Sequence, residues 1–312
     1  MISRRTLGTI AAGSLLDPLA CTRRTPLGTG RPARVCVLRA KSYTVDIENI
    51  IVQGLRECRI DVRGKSVLVK PNLVEYSRSS PIHTDPAVLQ ACIAALEQLG
   101  AARVLVGEGP GHRRDTLGMA YDAGYRAAIP NFDSRFTDLN LDDVAETDGF
   151  CGERRFYFPK TVLGVDLLVS LAKMKTHHWA GATLSMKNLF GIVPGAIYGW
   201  PKNKLHFIGI DRAVTALYRA FPKTIGIVDG VIGMEGNGPI QGRAKQSGVV
   251  VVGTDLAAVD RTCCGLMGID ADRIGYLSDN SGSLIEQRGE DPRALAQDYE
   301  LLPNLRHLRL GS

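Results

Sequence analysis

The sequence predicts an α/β fold of two lobes, built on parallel or mixed sheets with helices on both faces. Three observations carry this expectation. Short apolar runs alternate with segments of helical period, the order strand, helix, strand, helix, strand fills residues 34–106, and a second alternating set follows residue 160. Crossovers of that length join parallel strands, and the helices they contain cover the sheet. The expected organisation is an export signal and linker over 1–33, an N-terminal α/β lobe over 34–160 and a C-terminal α/β lobe over 161–312.

The chain begins with Ser3-Arg4-Arg5-Thr6-Leu7, then the small apolar run Gly8 to Leu16, then Ala20-Cys21. This order of basic, apolar and small residues reads as an export signal of the twin-arginine type. Pro18-Leu19-Ala20-Cys21 also reads as a lipoprotein cleavage box with a lipid anchor at Cys21, so the expected location is periplasmic or envelope-associated. No later stretch reaches about 18 uninterrupted apolar residues, so none past the leader is expected to span a membrane.

Arg34 to Leu38 reads as a strand, and Val45 to Arg56 as a helix with Ile47, Ile50, Ile51 and Leu55 on one face. A strand at Ser66 to Val69 precedes a helix that opens at Pro86, with Thr84 or Asp85 as cap and Gly100 as its stop. Val104 to Val106 is a third strand, and Leu117 to Ala128 one helix. The second set comprises strands at Asp166 to Ser170, Ile225 to Val228 and Val249 to Val252. Its helices are expected from about Thr183, over Ile210 to Phe221 and over Asp255 to Met267.

Charge and cysteine usage exclude some functions. Of the net +6, the first 34 residues supply +5 through six arginines against Asp17, leaving 32 basic and 31 acidic residues in the body. A body at +1 lacks the basic stripe that tracks a phosphate backbone, so no nucleic-acid partner is expected. The seven cysteines show no C-x-x-C spacing. That argues against an iron–sulfur cluster or structural zinc and for buried, inert thiols.

In open parallel sheets ligands sit at the carboxyl ends of the strands, and the unusual residues fall there. One strand is followed by Lys70-Pro71-Asn72 and then His83-Thr84-Asp85. Another runs into Gly107-Glu108-Gly109-Pro110-Gly111-His112-Arg113, whose glycines free backbone N–H groups for an anion while the guanidinium offers a bidentate partner. A third is followed by Lys173-Met174-Lys175-Thr176-His177-His178, four cationic or titratable groups in six residues, which repel unless an anion relieves them. Strand alternation turns His177 and His178 apart, so one of them reaches a given ligand. Asp229-Gly230 and Met234-Glu235-Gly236-Asn237 follow the fourth strand, and Lys187 lies on the helix from about Thr183.

Together these segments resemble the family known as domain of unknown function 362. The match rests on Val69-Lys70-Pro71-Asn72-Leu73, His83 to Pro86, Gly107-Glu108-Gly109, Ala172 to His177, Thr183 to Gly191 with Lys187-Asn188, Asp229-Gly230, Gly233 to Pro239 and Asp255 to Asp260. Some members of that family carry an added cluster-binding module whose cysteines this chain lacks. A fainter similarity, through Gly111-His112-Arg113, is to the nickel-pincer lactate racemase group, where such a turn surrounds a phosphorylated organometallic cofactor.

The expected function is an exported enzyme that binds an anionic small molecule, a phosphorylated cofactor or a divalent metal in an interlobe cleft, with isomerase or oxidoreductase chemistry. Lys70, Asn72, Gly109, Gly111, Arg113, Lys173, Lys175, Lys187 and Asn188 would bind it. His83, His112 or His177 would move a proton near neutral pH, and Asp85, Glu108, Asp229 and Glu235 would orient those bases or hold the metal through oxygen. Lys70, His83, His112, Lys175, His177, Lys187 and Glu235 are expected to line one cleft. The alternative is a non-catalytic envelope binding protein for a metal or anionic small molecule. A histidine bonded to a carboxylate and facing the cleft would favour the enzyme; its absence would favour binding.

Overall fold

The computed structural model describes residues 32–311 except 112 and 283. The export signal, the twin arginines and Cys21 lie outside the described residues, as does His112.

The fold is mixed α/β, with a large, mostly parallel sheet flanked by helices. Its strands are β1 (Ala33–Arg39), β2 (Ser66–Pro71), β3 (Arg103–Glu108), β4 (Phe136–Asp138), β7 (Leu167–His177), β8 (Gly181–Thr183), β9 (Thr224–Glu235), β10 (Arg243–Gly253) and β11 (Ile285–Gly289). Between β4 and β7, β5 (Val144–Thr147) and β6 (Phe156–Pro159) form a separate antiparallel pair. The large sheet runs in the order β11-β1-β10-β9-β7-β2-β3-β4, with β8 folded back on β7. β10 is antiparallel to both neighbours; β9, β7, β2, β3 and β4 are mutually parallel.

Residues 34–160 and 161–312 share this one sheet. β1 lies between β10 and β11, and β2 pairs with β7. The cleft therefore lies at the carboxyl edge of a single sheet, where β2, β3 and β7 end together.

Helices cover both faces. On one face α1 (Ile47–Glu57) and α2 (Pro86–Gln98) pack over alternate strand residues such as Cys36, Val67 and Val69. Asp46 caps α1 through Asn49 N–H, and Asp85 caps α2 through Ala87 N–H. On the other face lie three helices: α3 (Ser185–Asn188), α4 (Ile210–Ala220) and α5 (Leu256–Leu266). They bury Val35, Leu68 and Val228, and fully burying each such side chain stabilises by about 1.5–3 kcal/mol.

Several elements differ from expectation. The helix expected over Leu117 to Ala128 is two, Thr116–Asp122 and Tyr125–Ala128, because Gly124 between them adopts φ +82°. The helix expected from about Thr183 begins at Ser185, after β8. β7 and β9 run on well past their apolar cores, so Lys173, Lys175, Asp229 and Glu235 sit in strands rather than in loops. The strands continue because neighbours satisfy these charges. Cys36, Cys58, Cys92, Cys263 and Cys264 are free and buried, and burial pushes their thiol pKa values up. Cys151 departs from the expected free thiol and is disulfide-bonded.

Candidate functional site

β2 and β3 deliver Lys70 and Glu108 side by side at the carboxyl edge. Lys70 Nζ donates to Glu108 Oε2 at 2.7 Å, to Asn188 Oδ1 at 2.9 Å and to the Pro71 carbonyl at 2.9 Å. Glu108 also accepts from the Leu73 and Gly109 N–H groups. Burial lowers the Lys70 pKa, and Glu108 opposes that shift. A buried pair of this kind persists only when its remaining donors and acceptors are met, and here they are. Gly191 closes over it: a Cβ there would meet Glu108 Oε1 at 2.1 Å and Lys70 Cε at 2.3 Å. Gly191→Ala is therefore expected to displace the pair and destabilise the fold by about 1–3 kcal/mol, read from a denaturant midpoint.

Asn188 and Asn72 extend the network. Asn72 Nδ2 donates to Asn188 Oδ1, and Asn72 Oδ1 accepts from Lys175 Nζ at 2.7 Å. Lys175 also reaches the Ile82 and Pro239 carbonyls. Its partners are all uncharged, and burial followed by repulsion from Lys173 holds its pKa well below the usual lysine value. Lys173 projects from the same side of β7 and pairs with Asp229 at 2.9 Å and with the Tyr43 hydroxyl at 2.7 Å. Asp229 further accepts from Tyr43 and from the Asp85 and Val231 N–H groups.

Beyond this network opens a cavity of about 580 Å³. Lys70, Asn72, Glu108, Gly109, Gly111, Asn188, His177, His178, Thr183, Lys187, Lys202 and His206 contribute its polar lining. Lys187, on α3, makes no hydrogen bond or ion pair with any described residue; its Nζ lies 3.4 Å from the Phe190 ring centroid. Burial and then the nearby Lys70 charge lower its pKa to about 7. Lys202 is lowered to about 7 as well, mainly by burial, but it is held by Asn140 Oδ1 and the Val193 carbonyl. Thr183 is 3% exposed, and its hydroxyl has no partner among the described residues.

The three histidines of the cavity differ in tautomer. His177 Nδ1 accepts from the Trp179 and Ala180 N–H groups, so the neutral ring carries its proton on Nε2. Burial, reinforced by Lys187, lowers its pKa to about 2, so it remains a neutral donor throughout the physiological range. This corrects the expectation that His177 titrates near neutrality. His178 Nδ1 donates to the Gly238 carbonyl and His206 Nδ1 to the Lys202 carbonyl, leaving both Nε2 atoms as acceptors. His177 and His178 do not point apart: β7 ends at His177, the chain turns, and the two rings stack at 4.9 Å.

Of the side chains expected in one cleft, Lys70, His177 and Lys187 line the cavity. Lys175 lies beneath it behind Asn72. The half-buried His83 packs against Tyr76 and Tyr125, and burial followed by repulsion from Lys173 and Lys175 lowers its pKa to about 4. Glu235 lies apart, near Arg243 and Lys245 and accepting from the Glu300 N–H. Arg113 is exposed and does not line the cavity.

The four acidic residues considered for a metal are used separately. Glu108 is paired with Lys70, Asp229 with Lys173 and Glu235 with the surface lysine and arginine, while Asp85 caps α2. Among the described residues no three His, Cys, Asp or Glu side chains gather in a metal-binding group. The described donor set therefore offers no three-ligand site for a protein-held divalent metal. Lys187 and the Thr183 hydroxyl, which has no partner among the described residues, are the lining groups to which an anionic or phosphorylated group would bind. Neither His83 nor His177 bonds a carboxylate.

Lys202, Thr183, His206 and Asp260 were not singled out from sequence. A lysine in the Gly199-Trp200-Pro201 turn with a histidine four positions on was the available signal for Lys202 and His206. Asp260 accepts from the Ser185 and Met186 N–H groups and so holds the start of α3, on which Lys187 and Asn188 lie. Burial raises its pKa to about 7.

The profile of the family described as domain of unknown function (DUF362) matches residues 67–265. A thylakoid-associated protein of Synechocystis sp. is 27% identical over 216 residues, spanning 66% of this chain and 64% of that protein. Among solved structures, the lactate racemase apoprotein of Thermoanaerobacterium thermosaccharolyticum superposes with a TM-score of 0.46 at 14% identity, covering 76% of this chain and 57% of that one. A Thermotoga maritima protein superposes at 0.38 and 14% identity, covering 73% and 59%.

Proposed function

The chain belongs to the DUF362 family, and we propose that it is an exported, envelope-associated enzyme that binds an anionic small molecule in the cavity at the sheet's carboxyl edge. The thylakoid association named for the Synechocystis relative supports the membrane-proximal location. No helix among the described residues is long and apolar enough to cross a membrane. The observation that carries the ligand reading is Lys187 on the cavity wall, whose Nζ rests on the Phe190 ring and has no hydrogen-bond or ion-pair partner among the described residues.

In this reading Lys187 and Thr183 hold the carboxylate or phosphate. His177 donates from Nε2 to a ligand oxygen, and the Nε2 lone pair of His178 or His206 takes a proton from the carbon beside it and returns one, an isomerase type of step; an oxidoreductase step would draw its electron acceptor from a bound cofactor. A phosphorylated cofactor would instead place its phosphate at Lys187 and Thr183 and would supply an electron sink, with the substrate oxygen resting on His177 Nε2–H. Nucleic acid is not a partner in this account.

The enzyme reading is tested by deuterium incorporation beside the carboxylate of 2-hydroxy acids of three to ten carbons in D2O. Incorporation that the double variant His178→Ala/His206→Ala abolishes is expected. Binding without incorporation would favour the second reading, a non-catalytic binding protein, which draws support from the lack of any carboxylate on His83 or His177.

Affinity for a carboxylate is expected to depend on pH. Lys187 must be charged to hold the anion, its free pKa is about 7, and binding raises it. Affinity should therefore be greatest below pH 7 and fall by up to about tenfold per unit above it, as measured by calorimetry.

A further inference from the structure

The cavity is much larger than the head group it would hold. At about 580 Å³ it equals roughly twenty waters at about 30 Å³ each, and it lies within the range of about 300–1,000 Å³ typical of pockets for drug-sized ligands. A lone carboxylate or phosphate at Lys187 would leave most of it filled with water.

Its remaining walls say what fills that space. Much of the polar lining is already committed: Asn72, Asn188, Glu108 and Lys70 bond one another, and Asn237 bonds Gln241. The groups left free, Lys187, Thr183 and the Nε2 atoms of His177, His178 and His206, are enough for a head group and the oxygen beside it, whereas a sugar or nucleoside body would also meet the committed wall, where each buried polar group left unmatched carries a penalty. Leu73, Val74, Phe190 and Ile240 offer apolar wall instead. At the mouth the Trp179 ring lines the cavity yet is 67% exposed, set edge-on to His178 at 4.8 Å. Large rings left in water beside a cavity recover burial when an apolar ligand covers them.

We propose that the cavity binds an amphiphile, with one carboxylate or phosphate head at Lys187 and an aliphatic or aromatic body packed against Phe190, Ile240 and Trp179. This rests on the anion reading of Lys187 and adds the class of the ligand's body. Each methylene moved from water into such a wall strengthens binding by about three- to fourfold.

The test uses the full chain, calorimetry and the fluorescence of its two tryptophans, Trp179 and Trp200. The probes, kept below their micellar range, are butyl and octyl phosphate, butyrate and decanoate, and octanol. The expected result is that at least one long-chain anion binds more than tenfold tighter than its short homologue, and that Trp179→Ala, an exposed position, narrows the gap. Equal affinity of short and long homologues would overturn the amphiphile and leave the anion reading standing. Octanol binding as tightly as octyl phosphate would overturn the anion reading, and binding of none of the probes would overturn both. Capture of the protein by vesicles containing phosphatidic acid, reversed by octyl phosphate, would assign the amphiphile to a membrane lipid. Octyl phosphate binding without capture would assign it to a free molecule.

Discussion

Replacing Asp229 with alanine is expected to destabilise the fold by about 3–5 kcal/mol, because it strands a buried charge. Asp229 is fully buried, accepts from Lys173 at 2.9 Å and also holds Tyr43 and the Asp85 N–H at the entrance to α2. Denaturant titration reads the effect. Asp229→Leu combined with Lys173→Met should recover much of the loss, since a pair replaced by apolar groups of similar volume leaves no unmatched charge. A loss below about 1 kcal/mol in the single variant would show that Lys173 does not depend on this carboxylate.

Lys187→Met should do the opposite, leaving the fold intact and weakening anion binding by about 1.5–3 kcal/mol, roughly 10- to 150-fold. The sign of the stability effect follows from its lowered pKa. Between about pH 7 and the usual lysine value near 10.5 the unfolded chain binds a proton at this side chain that the folded chain does not. Lys187 therefore opposes folding fully below about pH 7 and progressively less across that window, so stability should rise with pH there more steeply in the native protein than in Lys187→Met. Lys173 and Lys187 occur within fifteen residues of each other, yet one is expected to serve the fold and the other the ligand.

The α/β class, the helices on both faces and α1, α2, α4 and α5 were legible because apolar spacing and capping residues are local signals. Asp85 before Pro86 and Gly100 after Leu99 marked α2 within a residue or two. The sharing of one sheet by the two halves was not legible, since the pairing of β1 with β10 and β11 joins residues more than 200 positions apart. The site was partly legible. The strand-end rule gathered Lys70, Asn72, Glu108, His177, Lys187 and Asn188. It misplaced Lys175 and Glu235 because β7 and β9 continue beyond their apolar stretches, and period-two alternation then buries Lys173 and Lys175 on one side. Lys202 escaped notice because its burial depends on Asn140 and Val193, which no spacing in the sequence connects to it.

The central claim is that Lys187 is a cation held ready for an anion in this cavity. Carbon-13 NMR of the full chain labelled at lysine Cε measures it directly, with the Lys187 resonance identified by its loss in Lys187→Met. The account predicts that this resonance titrates near pH 7 and that its midpoint moves upward when decanoate is added. A Lys187 resonance that titrates near pH 10.5 and does not respond to the anion would contradict it.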